Sequence, residues 1–110
     1  MLARLRLKRS QDFRAVYGSR RARHGRLMVI HSRPNDLGHP RVGFSISTRV
    51  GGAVQRNQVK RRLRQLAQSR LAGTELGIDL VVVVRQGAAG AEFAELESEF
   101  GALVAQVLGL

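Results

Sequence analysis

The sequence contains no cysteine, which excludes disulfide staples, thiolate nucleophiles and Cys-based zinc sites together and suits a reducing compartment. Long apolar runs are missing as well. The longest, Leu80 to Val84, falls far short of the roughly 20 residues that a membrane helix needs, and no apolar block follows the basic N-terminus as a secretory signal requires. A cytoplasmic protein with no membrane partner is expected. Acids are scarce where bases are dense. Residues 1–70 hold 18 Lys and Arg against only Asp12 and Asp36, a balance of +16; residues 71–110 hold Arg85 alone against six acids, a balance of −5, and together they give the net +11. Lysine is also rare, with Lys8 and Lys60 the only two among 19 bases.

A folded domain with that asymmetry presents a strongly positive face, and a polyanion is the commonest partner of such a face. Charge kept only for solubility explains it less well, because mixed signs and acids serve solubility at least equally. The preference for Arg fits RNA, since guanidinium grips phosphate bidentately and stacks on bases. It also fits the codon bias of a GC-rich genome. At 110 residues the chain is expected to be one RNA-binding domain, 1–110, able to bury roughly two thirds of its unfolded surface. Residues 1–9 read as a basic, flexible lead-in.

No repeat or low-complexity segment divides the chain. Ser10 suits an N-cap with Asp12 in the first turn; Phe13, Val16 and Tyr17 follow at helical spacing, and Gly18 suits a left-handed close. Ser19 to Arg26 is basic and offers at most a short edge strand. Leu27 to Arg33 reads as a strand ending in the turn residues Pro34 to Gly38. Next, Val42, Phe44 and Ile46 alternate with Gly43, Ser45 and Ser47, a strand with one core face and one small, polar face suited either to solvent or to the close approach of a nucleic acid. Ala53 to Leu71 is helical, with Val59, Leu63, Leu66 and Ala67 on one side. Ile78 to Val84 has the near-continuous β-branched run of a strand buried on both faces. After a turn at Gly87 to Gly90, a last helix from about Ala91 to Leu108 carries Phe93, Leu96, Phe100, Leu103 and Val104 on one side and acids in its first half. The order α-β-β-β-α-β-α predicts an α+β, two-layer sandwich with about four strands in a mixed sheet and three helices.

The chemistry concentrates between Gly51 and Arg64. Asn57, Lys60, Arg61 and Arg64 recur at i, i+3, i+4 and i+7 and share one helix face, with Arg56 on its flank. No acid lies between Arg41 and Ala72, so nothing within the helix relieves the repulsion, and an external phosphate is the natural counter-charge. Gly51 and Gly52, beside Arg49, bring backbone close to the open amides of the helix start.

The run from Ser45 through Arg49, Gly51, Arg56, Asn57, Lys60 and Arg61 to Arg64 resembles the signature of the protein subunit of bacterial ribonuclease P. The resemblance extends to Leu7-Lys8-Arg9, to Asp12-Phe13 through Tyr17-Gly18, and to Ile78 through Arg85 with Gly87-Ala88-Ala89. It implies the fold of ribosomal protein S5 domain 2. It also implies a catalytic RNA subunit contacted by Arg49, Arg56, Asn57, Lys60, Arg61 and Arg64. A cleft for the 5′ leader of precursor tRNA would be lined by Phe13, Tyr17, Ser45 and Ser47, where aromatic rings suit unpaired bases; Phe13 suits a core position equally. Two positions depart from the pattern: Gln58 replaces the motif's second Arg, and Gln55 stands where relatives are often basic.

No catalytic constellation is apparent, since acids are sparse near the basic residues and His24, His31 and His39 lack evident partners in sequence. The resemblance implies that the RNA subunit, with its bound Mg²⁺, hydrolyses the phosphodiester while this chain assists tRNA 5′ maturation without an obligate protein partner. A general RNA- or ribosome-binding module and a self-sufficient protein ribonuclease are the alternatives.

Overall fold

A computed structural model describes residues 1–109. The helices are α1 (Ser10–Gly18), α2 (Ala53–Leu71) and α3 (Phe93–Leu108); the strands are β1 (Ala22–His24), β2 (Met28–Pro34), β3 (Arg41–Ser45) and β4 (Ile78–Val84); and 3-10 turns span Ala3–Leu5 and Gln86–Gly90. The strands form one sheet in the order β1-β2-β4-β3. β2 is antiparallel to both β1 and β4, whereas β3 runs parallel to β4, a pairing that needs the long crossover α2 supplies. The β-branched run places β4 at the interior, as its sequence requires.

The sheet's two faces are covered unequally. Met28, Ile30, Val42, Leu80 and Val82 point to one face and pack beneath α2 and α3, where Val59, Leu63, Leu66, Leu96 and Phe100 complete the main core. This is the two-layer sandwich, and each fully buried side chain of that size stabilises it by about 1.5–3 kcal/mol. The opposite face carries α1 alone, through Val16 and Phe13 on Val81 and Leu7.

Residues 1–9 pack along β3 and do not form a free lead-in. Leu5 and Leu7 are buried, the Leu7 amide donates to Val42 O at 3.0 Å, and the Leu2 amide donates to Gln68 Oε1 at 2.8 Å. The basic composition hides two well-spaced leucines that fill the edge of the core.

Several expected termini are shifted. Arg9 occupies the N-cap of α1 without a side-chain bond, and Ser10 is the first helical residue. Gly18 stays helical, and the left-handed residue is Arg20, at φ 59°. The shift follows from Ser19, whose hydroxyl sits 2.6 Å from both Val16 O and Ser32 O and ties the helix end to β2. α3 starts at Phe93, because Ala91 is buried at the end of the preceding 3-10 turn and Glu92 is the N-cap; Phe93 itself is exposed.

The acids of α3 have a second use beyond the helix dipole. The Glu99 carboxylate accepts the Arg26 and Leu27 amides, both at 2.8 Å, and Arg26 reaches Glu95, so α3 holds the β1–β2 hairpin turn. Glu99→Gln removes one acceptor and is expected to lower unfolding stability by about 1 kcal/mol, measured by urea denaturation. An unchanged midpoint would mean that the turn is held by its own backbone.

Candidate nucleic-acid interface

Gly52 is the N-cap of helix α2, and its amide donates to Gln55 Oε1 at 2.9 Å. A Cβ at Gly51 would collide with the same oxygen. Gln55 therefore closes the start of its own helix and occupies one of the donors that the sequence leaves open to an anion. Beyond it, Asn57, Gln58 and Arg61 are exposed while Arg56, Lys60 and Arg64 are half-buried. The ion pairs among the described residues join Arg26 to Glu95 and Arg41 to Asp12 and Asp79, so no base of α2 has a carboxylate partner there. Arg64 also keeps a buried Nε with no hydrogen-bond acceptor. Arg49 stands exposed in the turn before the helix, which Val50 anchors in the core.

Strand register defines the second surface. Gly43, Val81, His31 and Ala22 lie abreast on the α1 face, and α1 crosses this row. Phe13 sits directly over Gly43, where any Cβ would strike its ring; Val16 meets Val81; and the Tyr17 ring meets His31 edge-on at 5.0 Å. Two residues further along the strands, about 7 Å away, the row Ser45, Val83, Val29 and His24 lies beside the helix. α1 therefore stands beside that row on the same face of the sheet. Ser45 ends β3 in the row, whereas Ser47 lies past the strand.

Of the predicted residues, the structure brings Lys60 and Arg64 of the α2 stripe to one groove with Phe13, while Arg49, Arg56, Asn57, Arg61, Tyr17, Ser45 and Ser47 lie outside it. Phe13, Gly43, Phe44, Lys8, Lys60 and Arg64 border one open groove of about 300 Å³ between α1, β3 and α2. Phe13 packs partly in the small core, and the rest of its ring borders the groove.

Beneath α1, Arg41 is clamped from two sides. Its Nε and Nη2 donate to Asp79 at 2.9 and 2.8 Å, Asp12 of α1 lies 3.7 Å from Nη1, and Asn35 Nδ2 donates to Asp79 Oδ1 at 2.7 Å. Asp79 is only 3% exposed, and its hydrogen bond raises the Arg41 pKa further above its usual value. This network fixes α1 over the sheet. Sequence reading missed it, and the only available signal was Asp79, an acid inside an otherwise apolar strand. His31 also has the partner that the sequence conceals, Tyr17, and its pKa is lowered by burial and then by the nearby charge of His24.

The family model for ribonuclease P matches residues 1–108. The chain belongs to the ribonuclease P protein family. A ribonuclease P protein component from Acidothermus cellulolyticus is 40% identical over 107 residues, covering 96% of this chain and 89% of that protein. One from Streptococcus pneumoniae is 36% identical over 97 residues, covering 88% and 79%. Among solved structures, the Staphylococcus aureus RNase P protein superposes with a TM-score of 0.86 at 26% identity, covering 94% of each chain. The Thermotoga maritima RNase P protein, solved in complex with 1-(4-fluorophenyl)-2-thiourea, superposes at 0.80 with 23% identity, covering 89% and 96%, and speaks for the fold alone. Membership in the ribonuclease P family makes the chain a component of tRNA-processing machinery. Among the described residues, no three His, Asp or Glu side chains gather as metal ligands, and no helix is long and apolar enough to cross a membrane.

Proposed function

We propose that this ribonuclease P protein binds the catalytic RNA subunit through Arg49, Arg56, Asn57, Lys60, Arg61 and Arg64. On this reading it receives the 5′ leader of precursor tRNA along α1, at Phe13, Tyr17, Ser45 and Ser47. The observation that carries the proposal is the shared groove, in which Lys60 and Arg64 of α2 and the ring of Phe13 border one channel. A strand lying there meets cations for its phosphates and an aromatic face for a base, the combination on which single-stranded RNA recognition rests.

Bond cleavage belongs in this scheme to the RNA subunit, where bound Mg²⁺ would supply water activation and charge stabilisation at the phosphate. The chain's own residues bind and position. Arg and Lys along α2 neutralise phosphates where leader and RNA subunit approach, which replaces part of the divalent ion otherwise required. Precursor is then preferred over mature tRNA because only the precursor has a leader to occupy the cleft. The cytoplasm, where precursor tRNA is available in bacteria, is the compartment this role requires.

Reconstitution tests the reading. Purified protein is incubated with precursor tRNA, with and without the ribonuclease P RNA of the same organism, at low Mg²⁺. Stimulation of cleavage that depends on the RNA is expected. Cleavage by the protein alone would establish a self-sufficient nuclease, and binding without stimulation would leave a general RNA-binding module.

A further inference from the structure

The sheet has a second basic border on the edge away from α2 and β3. Arg20 and Arg21 precede the short edge strand β1, Arg23 lies within it, and all three line an open groove of about 480 Å³ that continues past Ser32 to Gln106 on α3. No carboxylate lines it, and among the described residues none of the three arginines forms an ion pair. The register explains the clustering. Arg23 pairs with Ile30, and the Arg21 carbonyl accepts the Ser32 amide, so both side chains leave the strand on one face, two residues apart.

Arg20 adds an independent observation. It holds a left-handed backbone that an L-residue with a long side chain adopts at a cost, where Gly or Asn would fit freely. The bonds of Ser19 to Val16 and Ser32 over-determine this turn. A charge kept in a strained position beside two others is the pattern expected of a functional site.

We infer that the β1-edge groove is a second RNA-binding surface, which grips the sugar-phosphate backbone of a helical RNA segment. The inference rests on the RNA-binding reading above but concerns a different edge of the protein. A helical segment is favoured over a single strand because the groove supplies cations, a hydroxyl and an amide but no aromatic ring on which a base could stack. The two basic surfaces sit on opposite edges of a four-stranded sheet, about 14 Å apart by strand spacing. One protein would thereby bridge two RNA segments.

The test uses the full chain and a transcript of the organism's own ribonuclease P RNA, with affinity measured against salt. Arg21→Ala with Arg23→Ala is expected to lower the log–log slope by about 1.4 to 1.8, and Arg21→Lys with Arg23→Lys should restore most of it. Double-helical RNA should compete for this surface better than a single-stranded oligonucleotide. Arg20→Gly is expected to melt a few degrees higher yet bind more weakly, a divergence that a purely structural residue would not produce. If the β1 variants keep the wild-type slope while Arg56→Ala with Arg61→Ala lowers it, the groove faces water and the inference fails alone. If neither pair changes the slope, the assignment of Arg56 and Arg61 to RNA binding fails with it. An open edge strand also invites a second copy of the chain; a dimer that is lost in the β1 variants with the slope untouched would overturn the inference in favour of self-association.

Discussion

Replacing Arg56 and Arg61 together with Ala is expected to weaken binding to the ribonuclease P RNA on the order of 20-fold at 0.15 M salt and to flatten the salt dependence by about 1.4 to 1.8. The size follows from counterion release. Each base that neutralises one phosphate contributes roughly 0.7 to 0.9 to the slope, the lower figure for single strands and the higher for duplex. Neither side chain has a carboxylate partner among the described residues, so the substitutions break no intramolecular ion pair and relieve repulsion between like charges on one helix face. Thermal stability should therefore hold or rise slightly while RNA affinity falls. Arg56→Lys with Arg61→Lys should keep the slope and lose part of the affinity, because ammonium preserves the charge but not the bidentate grip. A full wild-type slope in the Ala variant would show that Arg56 and Arg61 face solvent and that Lys60, Arg64 or another surface carries the contact.

The stripe was legible in the sequence because helical periodicity is local: the spacing of Asn57, Lys60, Arg61 and Arg64 fixes a shared face without knowledge of the rest of the fold. The same holds for β4, whose near-continuous β-branched run from Ile78 to Val84 could only be interior, and for the alternation of Val42 and Phe44 with Gly43 and Ser45. Contacts between distant segments were not legible. Nothing near Gly43 in sequence announces the ring of Phe13 above it, and nothing near Glu99 announces the hairpin amides 72 and 73 residues away. The shared groove was hidden for a related reason. It depends on residues 1–9 lying along β3, and their density of Arg and Lys masked Leu5 and Leu7, which hold them there. Arg20 misled in the opposite direction, since Gly18 offers the better left-handed residue and only the Ser19 bonds to β2 move that conformation two positions on.

Phe13 and Gly43 provide the sharpest test of the cleft, because the two residues occupy one space. Gly43→Ala places a methyl where the ring now lies. The ring must move, at an expected cost of about 1–3 kcal/mol in unfolding stability, as overpacking in a close-packed site costs. Phe13→Ala should cost about 2 kcal/mol, less than a fully buried Phe because the ring is only half covered. In the double variant the methyl has room, and Ala is favoured over Gly within a strand by roughly 0.5–1 kcal/mol. It should be more stable than either effect added to the other, with a coupling of about 2 kcal/mol. Additive losses would mean that the ring does not rest on Gly43. The functional arm separates core from platform. Stacking one base is worth about 1–3 kcal/mol, so both single variants should lose about 5- to 150-fold of their preference for precursor over mature tRNA. The double variant, though more stable than the sum allows, should recover none of it. Should Phe13→Ala melt early yet keep its leader preference, the ring is a core residue only, and the leader is held by Tyr17 or by the bases of the groove.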